Sequence, residues 1–143
     1  MDKNSYYART MHTPDSPERA RLREALRETS KALIPLHRHL INAAKSDYQF
    51  AYAKEVSATQ LVDLLQNDPF FVWLKPFTSL IVDIDEMARA DFEPSDVATI
   101  LARIDPILTD TRYIDMLQRE VDVASAHAAL RAVLGRLTSG NAR

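Results

Sequence analysis

Most apolar residues in this chain recur at three- and four-residue spacing rather than in strict alternation, which predicts helices over most of its length. The clearest case is the run Leu22, Leu26, Thr29, Leu33, Leu36, Leu40 and Ala44, a stripe with a period of about 3.5 residues that extends past Tyr48 toward Tyr52. Its start is written in Asp15, Ser16, Pro17 and Glu18: either of the first two can cap, proline suits the first turn, and the glutamate complements the helix dipole. The resulting first helix has about seven to nine turns. Pro35 falls in its middle, where it removes one backbone hydrogen bond and crowds the preceding turn, so a kink is expected over Lys31 to Ile34.

Ser57 followed by Gln60 has the spacing of a capping box, and Leu61, Val62, Leu64 and Leu65 supply the apolar face of a short second helix. Asn67, Asp68 and Pro69 interrupt it. Asp68 can cap a further turn through Phe70 to Leu74, after which Pro76 opens a helix carrying Phe77, Leu80, Ile81, Ile84 and Met87. A fourth helix is expected from Pro94, Ser95 and Asp96, using Val97, Ile100, Leu101 and Ile104, with Pro106 near its end. The fifth follows Thr109 to Thr111. Its stripe of Ile114, Leu117, Val121, Ala124 and Ala128 overlaps a second one of His127, Leu130, Leu134 and Leu137, until Gly135 and residues 139–143 weaken and end it.

These elements predict an all-α fold: one helical bundle over 15–138, four-helix-bundle-like, with a long kinked first helix and a short extra helix. Residues 1–14, including Tyr6, Tyr7 and His12, show no period and are expected to form a flexible arm, and 139–143 a disordered end. Two glycines in 143 residues, with no Asn-Gly or Asp-Gly pair, remove the usual chemistry of tight strand connections. The composition, 46% hydrophobic and 27% charged, suits one globular domain with a real core. Without cysteine, neither disulfides nor thiolate metal sites are available, and no apolar run approaches the roughly 20 residues of a membrane span. The expected compartment is the cytoplasm.

Charge narrows the partners. The net charge of -2 lacks the basic excess of phosphate-neutralising proteins, so nucleic acid is an unfavoured partner. The balance is uneven, however: residues 1–45 hold nine Lys and Arg against five Asp and Glu, and 46–143 hold nine against fifteen. Arg19, Arg23 and Arg27 recur at four-residue spacing and can dock an acidic surface, including that of a second copy, although Glu24 and Glu28 offer them ordinary helix ion pairs.

Catalytic signatures fail on spacing. His37 and His39 point about 200° apart on a helix and cannot share a metal. The residues three before His37, His39 and His127 are Ile34, Leu36 and Ala124, not the glutamates of di-metal carboxylate bundles. Zincin, Walker, dinucleotide and nucleophile-elbow patterns are missing from the sequence. No cofactor or metal is expected. His37 and His127 each lie near an apolar stripe and can meet with Asp83 or Asp85 in one small polar ligand site, against the simpler reading of hydrogen-bonded boundary histidines and a solvated acidic stripe through Asp83, Asp85 and Glu86. Phe70, Phe71, Trp73 and Phe77 crowd into eight positions and cannot all point one way. Exposed, they would mark a partner surface; packed at helix junctions, they would plug a bundle end, which is the preferred reading.

The segment Asp68-Pro-Phe-Phe-Val-Trp-Leu-Lys-Pro76, continued by Ser79-Leu-Ile-Val-Asp-Ile-Asp-Glu86, resembles a pattern in small uncharacterised bacterial helical proteins, over a region from about Leu33 to Glu86. The resemblance implies a bacterial helical bundle and supplies no activity or site residue. The function expected from the sequence is a non-enzymatic interaction module, self-associating as a homodimer or docking another protein. A small-molecule or metal-binding bundle acting through the His37, His127, Asp83 and Asp85 group is the alternative.

Overall fold

The structure, a computed structural model, describes residues 14–141, with side chains described through 137. The expectations for Tyr6, Tyr7 and His12 lie outside the described residues. Among the described residues the fold is all-α, without a strand: α1 (Pro17–Tyr52), α2 (Ala58–Asn67), a 3₁₀ turn (Val72–Leu74), α3 (Lys75–Arg89), α4 (Pro94–Leu101), α5 (Ile104–Leu108), α6 (Thr111–Arg119) and α7 (Val121–Asn141). No helix among them is long and apolar enough to cross a membrane.

The first helix forms as its sequence dictates. Ser16 is its N-cap, with Oγ accepting from the Arg19 amide at 3.2 Å, and Pro17 fills the first turn. The helix runs unbroken through Pro35 for 36 residues. Leu26, Leu33, Leu36, Leu40 and Ala44 are wholly buried and Tyr48 nearly so, which makes this stripe the spine of the core. Each such leucine contributes about 1.5–3 kcal/mol by leaving water. Thr29 sits in the same stripe because its hydroxyl donates to the Ala25 carbonyl at 2.8 Å, leaving no buried polar atom unpaired.

Two helices flank the spine, both antiparallel to it. On one side α3 is stitched to α1 by Arg23 to the carbonyls of Ala88 and Ala90, by Ser30 to Asp85 and by His37 to Thr78, contacts that ascend one helix while descending the other. On the other side α7 packs along α1, with Glu28 facing Arg136, while Asp47, near the far end of α1, faces Arg119 of α6. Because α3 and α7 run the same way, the chain must return between them. Helices α4 to α6 make that return, burying Val97, Ile100, Ile104, Leu108, Tyr113 and Met116. Arg103 to Asp83 at 2.7 Å and Arg131 to Asp105 at 3.5 Å tie the return to its neighbours. Both pairs are substantially exposed, so each contributes at most about 1 kcal/mol.

Three expectations are corrected. The segment from Pro94 is two helices, with Ala102 and Arg103 between them, and Pro106 lies inside the second. The single fifth helix is divided at Glu120, which adopts an extended conformation (φ -111°, ψ 116°). With that turn the buried positions become Tyr113, Met116, Val123, Leu130 and Val133, whereas Ile114 and Val121 of the expected stripe are exposed. Finally, Gly135 does not end the last helix, which continues to Asn141; its backbone faces open space and no helix-ending turn forms there.

Candidate functional site

The end of the bundle where α1 stops brings together the rings of Tyr48, Tyr52, Phe70 and Phe71. Ala53 takes a left-handed conformation (φ 52°) and its amide reaches back to the Gln49 carbonyl, ending the helix. The Gln49 side chain then accepts from the Val56 amide at 2.9 Å, turning the chain into the Ser57–Gln60 capping box that starts α2. Tyr48, Tyr52, Phe70 and Phe71 stack around this turn, with centroids 4.6 to 6.3 Å apart, and Lys54 lies over the Tyr48 ring at 5.5 Å. Asp68 accepts from the Phe70 amide at 2.8 Å and sets the 3₁₀ turn that brings Trp73 and Leu74 inward.

The aromatic run therefore plugs the bundle: Phe71 and Phe77 are fully buried, Trp73 nearly so, and Phe70 half-buried. Several apolar side chains at this end stay exposed all the same. Phe50 is 91% exposed, Tyr52 58% and Val62 56%, and Val72 is also exposed. Helix α2 has a distinct apolar face, yet none of its side chains is fully buried; Leu61, Leu64 and Leu65 only lean on the core. Its sequence holds one charge, Asp63, which accepts from Asn67 at 2.9 Å.

Comparison of the chain with known protein families, curated proteins and solved structures finds no match. The chemistry must be read from the placement of its own residues.

That placement separates the four polar groups of the alternative site. His37 shares a 2.9 Å hydrogen bond with Thr78 between α1 and α3, and burial lowers its pKa. His127 lies between α6 and α7, where Nδ1 meets the Tyr113 hydroxyl at 2.6 Å. Burial, and then the charge of Arg131, lower the His127 pKa, while burial pushes the Tyr113 phenol up to about 12. The phenol therefore keeps its proton at neutral pH, within its hydrogen bond to the imidazole ring. Asp83 pairs with Arg103, and Asp85 accepts from Ser30 at 2.7 Å. No three His, Asp or Glu side chains among the described residues are placed to hold a metal ion.

Both lowered histidine pKa values have a consequence for stability. Near the unfolded value of about 6.5 the unfolded chain binds more protons than the folded one, so stability is complete above that pH and declines as pH falls through it. Urea unfolding between neutral and mildly acid pH is expected to show this loss, and the double variant His37→Asn, His127→Asn to flatten it. An unchanged slope in the variant would place the acid sensitivity elsewhere.

The candidate arginine face is also dispersed. Arg23 is 6% exposed: its guanidinium binds Asp15 at 2.7 and 3.1 Å and the carbonyls of Ala88 and Ala90 at 2.7 and 2.9 Å, while lying 4.9 Å from the centre of the Phe92 ring. Its hydrogen bond to Asp15 raises its pKa, so it stays charged. Arg19 reaches Glu93 at 3.5 Å, and Arg27 faces Glu24 at 3.8 Å. Arg23 is thus an internal anchor for the end of α3. The sequence reading missed Phe50, Tyr52 and Val62 as surface residues. Phe50 carried a signal, since a residue two past Tyr48 lies across the helix from the buried stripe.

Proposed function

We propose that this protein is a non-enzymatic helical interaction module that pairs with a second copy of itself through the aromatic end of its bundle. Helix α2 carries the proposal: it is a ten-residue amphipathic helix that fully buries no side chain and exposes Val62, while Tyr52 and Val72 at the same end of the bundle are exposed as well. Apolar surface left unburied on an amphipathic helix is stabilised by a partner. With one carboxylate on α2, an isologous contact sets almost no like charge against like, whereas a heterologous partner would find little charge to recognise. We read the architecture as four-helix-bundle-like, with α1, α3 and α7 as three members and the α4–α6 return as the fourth.

A non-enzymatic role fits the polar groups. His37, His127, Asp83 and Asp85 each hold a different structural partner, so none is left positioned against another as acid and base.

The test is light scattering coupled to size exclusion at micromolar concentration. The wild type is expected to run as a dimer and Val62→Glu combined with Tyr52→Ser as a monomer of unchanged helical content by circular dichroism. A dimer that survives the substitutions would move the interface away from this end.

A further inference from the structure

The solvent face of α1 carries a pattern that its buried stripe conceals. Along it run Arg27, Lys31, Ile34, Arg38, Ile41 and Lys45. Ile34 and Ile41 repeat at seven-residue spacing, and Lys31, Arg38 and Lys45 repeat at the same spacing beside them. Ile34 is 46% exposed although it follows an otherwise well-packed stripe, and Ile41 is half-buried. Lys31, Arg38 and Lys45 have no ion-pair partner among the described residues, and Arg27 has only Glu24 at 3.8 Å. On the adjoining helix, Val82 is exposed and Ile81 half-buried, so the apolar strip continues across the seam that the Ser30–Asp85 and His37–Thr78 hydrogen bonds close.

We infer that this ridge of α1 is a second docking surface, and that its occupant is an acidic amphipathic helix of another protein. An apolar line at seven-residue spacing matches the seam of a partner helix, and charges flanking such a seam select the partner's sign. From Arg27 to Lys45 the ridge is about 27 Å long, enough for roughly two and a half heptads. Three exposed cations, Arg27, Lys31 and Arg38, and the half-buried Lys45 stand against Glu24 on α1, with Glu86 exposed on α3 and Asp85 already engaged by Ser30. Charge also decides against self-pairing here. Two copies meeting through this face would set Lys31, Arg38 and Lys45 against their own kind, which is repulsive. A lipid surface fits less well, because the apolar part is a narrow line on a helix whose other side is the core.

The probe is a stapled, helical, fluorescent peptide of about three heptads, with leucine along one seam and glutamate flanking it, and its counterpart with lysine for glutamate. Anisotropy is expected to show binding of the acidic peptide only, weakening as salt is raised. Lys31→Glu with Arg38→Glu is expected to reduce affinity about tenfold or more, and Ile34→Asn to reduce it as well. Arg112→Glu, on α6 and outside the ridge, serves as the charge-reversal control and should leave binding intact. All four positions are exposed, so these variants keep the fold. Equal binding of the two peptides, wild-type affinity in the double variant, or binding of phosphatidylserine vesicles or duplex DNA in place of the peptide would overturn the inference. A change in the protein's own stoichiometry in the double variant would overturn it too, since the occupant would then be a second copy.

Discussion

Arg23→Ala is expected to remove about 3–5 kcal/mol from a folding free energy that for a domain of this size is about 5–15 kcal/mol. The guanidinium is almost fully enclosed and satisfies three groups together: the Asp15 carboxylate before α1 and the carbonyls of Ala88 and Ala90 where α3 ends. Removing it leaves both carbonyls without this donor and a largely enclosed carboxylate, 14% exposed at its side chain, without this counter-charge. The Phe92 ring loses its cover as well. Lysine does not rescue the site, because one ammonium lacks the planar fork that spans carboxylate and carbonyls. Urea unfolding of Arg23→Ala and Arg23→Lys measures both. A loss under about 1 kcal/mol would mean that the pair behaves as a surface salt bridge.

Phe77→Ala is expected to cost a similar 3–5 kcal/mol through a different mechanism. Phe77 is wholly buried, edge-on to Trp73 at 6.4 Å and tilted against Tyr113 at 5.6 Å. It therefore joins α3 to α6, and through the Tyr113–His127 contact to α7. Truncation leaves a cavity that rigid helices on several sides cannot collapse. The near-ultraviolet circular dichroism of Trp73 and Tyr113 should change with it. A variant with both signals and stability intact would show that these rings are not packed on one another.

The contrast between the two residues shows what the sequence could reveal. Phe77 and the Leu26-to-Ala44 stripe are legible because helical period alone selects the buried face, and Ser16-Pro17 and Ser57–Gln60 mark starts through local hydrogen bonds. Arg23 was not legible. Its burial depends on carbonyls 65 and 67 residues away, which no local pattern encodes. The division at Glu120 was hidden for a related reason. No glycine or proline marks it, and the two overlapping stripes fit one continuous helix equally well. The apolar end around α2 was partly visible in its capping box and leucines, but the weak burial of that face follows from where the neighbouring helices stop. The basic ridge of α1 could have been found by asking which residues lie opposite the buried stripe. Arginine spacing alone drew attention to Arg19, Arg23 and Arg27, of which only Arg27 belongs to the ridge.

A native mass spectrum of the untagged protein tests the central claim most directly, because it reads stoichiometry and any retained ligand together. Pairing through the α2 end predicts a dimer whose mass is twice that of the chain, converted to monomer by Val62→Glu with Tyr52→Ser. A monomer carrying a reproducible added mass would contradict it and turn attention to ligand binding by the protein.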